Sequence, residues 1–71
     1  MTNTALLEQY IQNSGLKKSY IAKVLNINPK TLANKVANLC EFKASEMKAL
    51  CKLLGIDPAE KEAIFFAEEV A

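Results

Sequence analysis

Three polar side chains near the middle of the chain have the types and the spacing that hydrogen bonding to nucleic-acid bases requires. They are Lys30, Thr31 and Asn34, at positions i, i+1 and i+4 of a predicted helix. A lysine ammonium can reach O6 or N7 of guanine, and an asparagine carboxamide can form paired hydrogen bonds with adenine. A threonine offers a hydroxyl, and its methyl group can contact thymine. We therefore treat these residues as candidate base contacts, against the plainer alternative of a solvated helix face.

The composition argues against catalytic and metal chemistry. The chain has no histidine and only two glycines, so it offers neither a histidine base for a nucleophile nor a glycine-rich phosphate loop. Its two cysteines, Cys40 and Cys51, do not form a CxxC pair, and both fall on apolar helical stripes where we expect buried thiols. We predict a protein that is not an enzyme and that needs no metal, cofactor or small-molecule ligand.

The candidate base contacts lie on the second helix of a helix-turn-helix pattern, predicted at about residues 18–38. The first helix ends before Asn26, and asparagine tolerates the left-handed conformation that a tight turn needs. Asn28 and Pro29 then form a helix start, because asparagine caps free N–H groups and proline suits the first helical position. The second helix, predicted at about 29–39, has one apolar stripe, which consists of Leu32, Val36, Leu39 and Cys40.

Apolar residues at helical spacing predict three further helices. The first helix of the chain stops at Gly15 and the fourth at Gly55, and an Asp57-Pro58 start opens a fifth at about 58–70. The expected fold class is therefore all-α, a compact five-helix bundle within a single domain of 71 residues. Phe42, in the connection before the fourth helix, is expected to anchor that connection in the core.

The net charge of +1 conceals a separation of charge along the chain. Residues 17–52 contain eight lysines and two glutamates, a net charge of +6. Residues 57–71 contain one lysine and five acids, a net charge of −4. A basic segment around the helix-turn-helix pattern favours a surface that faces phosphates. Arginine is absent, which weakens the case for bidentate contacts with guanine.

These features together resemble the Cro and phage-repressor family of helix-turn-helix proteins. The resemblance covers about residues 5–70 and looks closest to short Cro-like regulators of Gram-positive phages and prophages. The sequence differs from the family pattern at Asn26, where glycine is usual, and at Lys35, where an apolar residue is frequent. The matching stretches are Ile21-Ala22, Leu25-Asn26-Ile27, Pro29-Lys30-Thr31-Leu32, SGLKK before the motif, and KVANLCEF, EMKALCKLLGI and IFF after it.

The resemblance implies a lambda-repressor-like fold and a set of contacts with DNA phosphates. Family members place two parts of the chain beside the DNA backbone. These are the start of the first helix of the motif, near residue 18, and the connection that follows the second helix of the motif, which is called the recognition helix. Lys35 and Asn38 are added because they share the polar face of the recognition helix. The candidate phosphate contacts are Lys17, Lys18, Ser19, Lys35, Asn38 and Lys43.

The fifth helix has two alternative uses. Repressor-type proteins usually bind paired half-sites as two-fold dimers. Ile64 and Phe65 could form an exposed dimerisation patch, because such apolar patches are rare on monomers, or the helix could simply close the core. Its expected buried stripe consists of Ala63, Phe66, Ala67 and Val70.

The function expected from these patterns is sequence-specific DNA binding by a transcriptional regulator of phage or prophage origin. Its partners would be double-stranded DNA and a second copy of the chain. The alternative is a modulator on the same fold that binds a partner repressor instead of DNA. We expect a cytoplasmic protein with no membrane partner, since the sequence has no apolar run of about 18 residues and no signal sequence.

Overall fold

Five α-helices follow one another along residues 1–66, which are the residues that the computed structural model describes. No strand occurs in this part of the chain, so the predicted all-α class with five helices is confirmed. The helices are α1 (Thr4–Ser14), α2 (Lys18–Val24), α3 (Pro29–Val36), α4 (Ala44–Leu54) and α5 (Pro58–Phe65).

Polar caps determine where three of the helices begin. The Asn3 side chain accepts a hydrogen bond from the backbone N–H of Leu6 at the start of α1. Asn28 accepts one from Thr31 at 2.7 Å, and Asp57 accepts one from Glu60 at 2.8 Å. Each cap satisfies an N–H that the helix itself leaves without a partner, so the starts predicted at Asn28 and Asp57 are confirmed.

Four residues with positive φ separate the helices. Gly15 and Gly55 end α1 and α4 in the left-handed conformation, with φ of 72° and 70°. Asn26 has a φ of 59° in the turn between α2 and α3, as its residue type predicts. Asn38 has a φ of 66°, which the sequence reasoning did not anticipate. The chain therefore leaves α3 after Val36, about one turn earlier than predicted.

A single apolar core lies between the helices, and each helix contributes one large, wholly buried side chain to it. The contributing residues are Leu7, Ile21, Leu32, Leu50 and Ile64. Phe42 is also buried and packs edge-on against Phe65, with ring centroids 5.3 Å apart, so its predicted anchoring role is confirmed. This edge-to-face geometry is one that aromatic pairs favour.

Of the two uses expected for the fifth helix, the structure shows that it closes the core and contradicts an exposed dimerisation patch at Ile64 and Phe65. Ile64 and Phe65 are 0% and 2% exposed, because α5 packs against α1 with these two side chains directed inward. The predicted buried stripe is also wrong, since Ala63 and Phe66 are exposed. The other two members of that stripe, Ala67 and Val70, lie outside the described residues.

The early end of α3 also exposes two residues that were expected to be buried. Leu39 is 75% exposed and Cys40 is exposed, because the left-handed turn at Asn38 directs the chain away from the core. Cys51 is half-buried, and this burial raises the pKa of its thiol. The prediction of two buried thiols is therefore wrong for Cys40. None of the helices in residues 1–66 is long and apolar enough to cross a membrane.

Candidate nucleic-acid interface

The three candidate base contacts share the outer side of α3. With about 100° of rotation per residue, Lys30 and Asn34 lie about 40° apart around the helix axis, and Thr31 lies at the edge of the same side. Lys30 is exposed, whereas Thr31 and Asn34 are half-buried. Ala33 and Ala37 complete the exposed side without adding bulk or charge. We call the side formed by Lys30, Thr31 and Asn34 the polar face of α3.

The polar face is held in place by apolar packing behind it. Leu32 is wholly buried and Val36 is 3% exposed on the opposite side of the helix. Within the described residues, α2 packs against α3 more extensively than any other pair of helices does. The two helices therefore form one unit, and the polar face keeps a defined direction relative to the start of α2.

The start of α2 presents two lysines and a serine to solvent, as the sequence predicts. Lys17 is the N-cap residue but makes no side-chain capping bond, and Ser19 is exposed. The Lys18 ammonium lies 2.9 Å from a Glu8 carboxylate oxygen, with both side chains nearly half exposed. An exposed ion pair of this kind contributes little to stability, so Lys18 could exchange Glu8 for another anion at small cost.

The connection between α3 and α4 contributes one more exposed cation. Lys43 is the N-cap residue of α4, and its side chain reaches solvent. Its backbone N–H donates to Glu46 Oε1 at 2.8 Å. Between residues 17 and 45 the sequence has a single acid, Glu41, so the helix-turn-helix unit and this connection are positively charged.

The structure contradicts the assignment of Lys35 to a phosphate contact. Lys35 is only 7% exposed, and its ammonium lies 2.5 Å from Glu46 Oε1 at a buried position. The reason is rotation: Lys35 lies about 140° around the axis from Lys30, towards the buried side that holds Leu32 and Val36. A lysine at that position is tolerated because a carboxylate from α4 neutralises it.

Asn38 has a structural role that its polar character did not reveal. Its side-chain oxygen accepts a hydrogen bond from the backbone N–H of Thr2 at 3.0 Å, and its backbone forms the left-handed turn after α3. Nearby, the Thr4 hydroxyl donates to the carbonyl oxygen of Val36 at 2.6 Å. Both contacts tie the start of the chain to the end of α3, so the structure does not support a phosphate contact for Asn38.

Glu46 is the residue of this region that the sequence reasoning missed. One local signal was available, because Glu46 follows the N-cap residue Lys43 by three positions, as the glutamate of a capping box does. Only half of a capping box forms here: Glu46 accepts a hydrogen bond from the backbone N–H of Lys43. The Lys43 side chain cannot cap the helix in return, because an ammonium group has no acceptor. The pairing with Lys35 joins residues 11 positions apart and has no local signal.

The ion pair alters the protonation of Glu46. Burial by itself would raise the pKa of this carboxyl, but other contacts outweigh it. The hydrogen bonds from the Lys35 ammonium and the Lys43 backbone, with the positive charges of both lysines, lower the pKa below its ordinary value. Glu46 is therefore ionised in the folded protein at neutral pH.

Acidification is expected to destabilise the fold partly through Glu46. Because its pKa is lower in the folded state than the ordinary value of 4.5, the unfolded chain takes up the proton first. The contribution of Glu46 to the free energy of unfolding is thus complete at pH values above its ordinary pKa. It is lost as the pH falls through the lower pKa that Glu46 has in the folded protein. Urea unfolding at several pH values between about 7 and 3 would measure this loss. The free energy of unfolding should fall more steeply in the wild type than in Glu46→Gln, and parallel curves would contradict the prediction.

Comparisons with known proteins do not identify a relative. No family model matches the chain, and no curated protein and no solved structure is similar to it at a significant level. Among residues 1–66, no group of three or more histidine, cysteine, aspartate or glutamate side chains is placed to hold a metal ion.

Proposed function

We propose that this protein is a sequence-specific DNA-binding transcriptional regulator with a lambda-repressor-like fold. The observation that carries the proposal is the polar face of α3, which contains no acid and stands on a tightly packed pair of helices joined by a short turn. A helix with this geometry fits the major groove, where each base pair presents a distinct pattern of donors and acceptors.

In this proposal the roles of the residues follow from their positions. Lys30, Thr31 and Asn34 contact base edges, and Lys17, Lys18, Ser19 and Lys43 contact phosphates on either side. Lys35 and Asn38 are excluded from the contact set, since both are engaged inside the protein. Two copies on neighbouring half-sites would present their α3 helices about 34 Å apart, one turn of the duplex. Ile64 and Phe65 do not join the copies, because they are buried.

The test is a selection from a pool of random duplexes, followed by fluorescence anisotropy with the enriched duplex and with a scrambled one. We expect enrichment of one sequence and at least about a thousandfold preference for it. Three lysines on phosphates predict a slope of log affinity against log salt of about −3 for each bound copy. The proposal is overturned if no sequence is enriched, or if affinity does not change with salt.

One observation favours the alternative of a modulator that binds a partner protein. Leu39 and Phe66 are 75% and 53% exposed, and large apolar side chains mark a protein interface where they form a contiguous patch, which this alternative requires of these two. If this alternative holds, Leu39→Ser should abolish the regulatory effect in cells while Lys30→Ala preserves it. The DNA-binding proposal expects the opposite pattern.

A further inference from the structure

A buried ion pair links the recognition helix to the helix that follows it. The side chains of Lys35 on α3 and Glu46 on α4 are 8% and 7% exposed. Oε1 of Glu46 accepts a hydrogen bond from the Lys35 ammonium and a second, at 2.8 Å, from the backbone N–H of Lys43. One carboxylate oxygen therefore joins α3, α4 and the end of the connection between them.

This oxygen binds next to both parts of the proposed interface, which are the polar face of α3 and the exposed Lys43. Lys35 follows Thr31 by one helical turn, so it lies next to Thr31, where the polar face of α3 meets the buried side of the helix. Lys43 is the exposed cation of the connection. The Glu46 carboxylate thus sets the position of a base-reading helix and the position of a phosphate-contacting residue relative to each other.

Stability alone does not account for an ion pair at this site. Removing two charges from water has a high desolvation cost, and replacing a buried pair with apolar residues of similar size is frequently neutral or stabilising. The rest of the buried side of α3 is apolar, with Leu32 and Val36, and this packing directs α3 relative to α2 but is less directional than a hydrogen bond. A hydrogen-bonded ion pair is directional, and it restricts both rotation and sliding of the helix.

We propose that Lys35 and Glu46 are positioning residues for DNA recognition: their ion pair sets the rotation of α3 and the place of Lys43, and thereby the sequence discrimination of the protein. This inference rests on the proposed DNA-binding function. Neither residue touches DNA in this arrangement, so the pair acts through the polar face of α3 and through Lys43. Its loss changes discrimination between duplexes more than it changes affinity for DNA in general.

The decisive variant combines Lys35→Met with Glu46→Leu, which removes both charges and keeps the site filled. Binding to the enriched and scrambled duplexes is measured by anisotropy at one salt concentration, and unfolding by urea. We expect the double variant to be at least as stable as the wild type. The ratio of the two affinities should fall about tenfold, which is the loss from one misplaced base contact. Binding to the scrambled duplex should stay within about twofold, because the phosphate charges remain.

Two further variants separate positioning from stability. Glu46→Gln keeps an acceptor for the Lys43 backbone N–H but weakens the contact with Lys35, so it should lose discrimination to a smaller degree. It also tests the inference if the double variant does not fold. Ile11→Val lies in the core on α1, outside the two helices that hold the ion pair, and it should lower the free energy of unfolding without changing discrimination. Amide NMR shifts of Thr31, Asn34 and Lys43 should move in the two pair variants and not in Ile11→Val.

The outcomes distinguish this inference from the function on which it rests. A wild-type protein that does not discriminate between duplexes overturns the proposed function and the inference with it. A wild type that discriminates, with pair variants that fold and discriminate equally well, overturns the inference alone. Loss of discrimination in the folded pair variants, with unchanged binding to scrambled DNA, supports both.

Discussion

Replacing Lys30 with glutamate is expected to weaken binding to the enriched duplex by at least about a hundredfold. Lys30 is exposed in the first turn of α3, where it would face the base edges. The substitution removes a base contact that is worth about 1–3 kcal/mol and puts a negative charge against the DNA, which adds a repulsive term. Anisotropy titrations of wild type and Lys30→Glu on the same duplex, at the same salt concentration, measure the difference.

The matched control is Lys52→Glu, which changes the net charge by the same amount. Lys52 is exposed in the last turn of α4, about 12 Å along the helix axis from the start of α4. A charge outside the interface acts only through the screened field, so we expect a change of less than about threefold. If the two variants bind equally weakly, overall charge and not the polar face of α3 governs binding, and the proposed role of Lys30 is wrong.

Replacing Leu32 with alanine is expected to lower the stability of the fold strongly. Leu32 is wholly buried on α3, and truncating a buried leucine costs about 2–5 kcal/mol through lost burial and the cavity that remains. A domain of this size has a total stability of about 4–10 kcal/mol, so the variant should lose a large fraction of it. Circular dichroism should show a fall in Tm of at least about 10 °C.

The same substitution at Leu39 provides the control, because it removes the same atoms from a side chain that is 75% exposed. Leu39→Ala should change the free energy of unfolding by less than about 0.5 kcal/mol. A similar loss of stability in both variants would mean that Leu39 is also covered in solution, and would contradict the prediction that burial distinguishes the two positions. The comparison also tests whether α3 ends at Val36, since a longer helix would direct Leu39 towards the core.

Much of the fold could be predicted because its signals are local. Asn28 and Asp57 cap helices through hydrogen bonds to residues three positions ahead, and both are correctly identified from residue type and spacing. The turn at Asn26 depends on the conformational tolerance of one residue, which is also visible in the sequence. The end of α3 was harder to predict from the sequence. Asn38 tolerates the left-handed conformation as Asn26 does, but it lies within an apparently continuous apolar pattern.

The polar face of α3 was predicted in the same way, since Lys30, Thr31 and Asn34 follow directly from the helix start. The inward side of α5 was not, because apolar and charged residues are both spread around that helix and periodicity does not select one side. Packing against α1 and contact with Phe42 direct Phe65 inward, and both partners are distant in sequence. The dimerisation patch predicted there fails for this reason.

The amino-acid sequence by itself determined the helices, their starts, the turn of the helix-turn-helix pattern and the acid-free face of α3. These features depend on hydrogen bonds and steric preferences within a few residues, which residue types express directly. Only the tertiary structure decided that Lys35 faces the interior and not the solvent. A buried charge needs a specific partner, and here that partner, Glu46, is supplied by another helix 11 residues further along the chain.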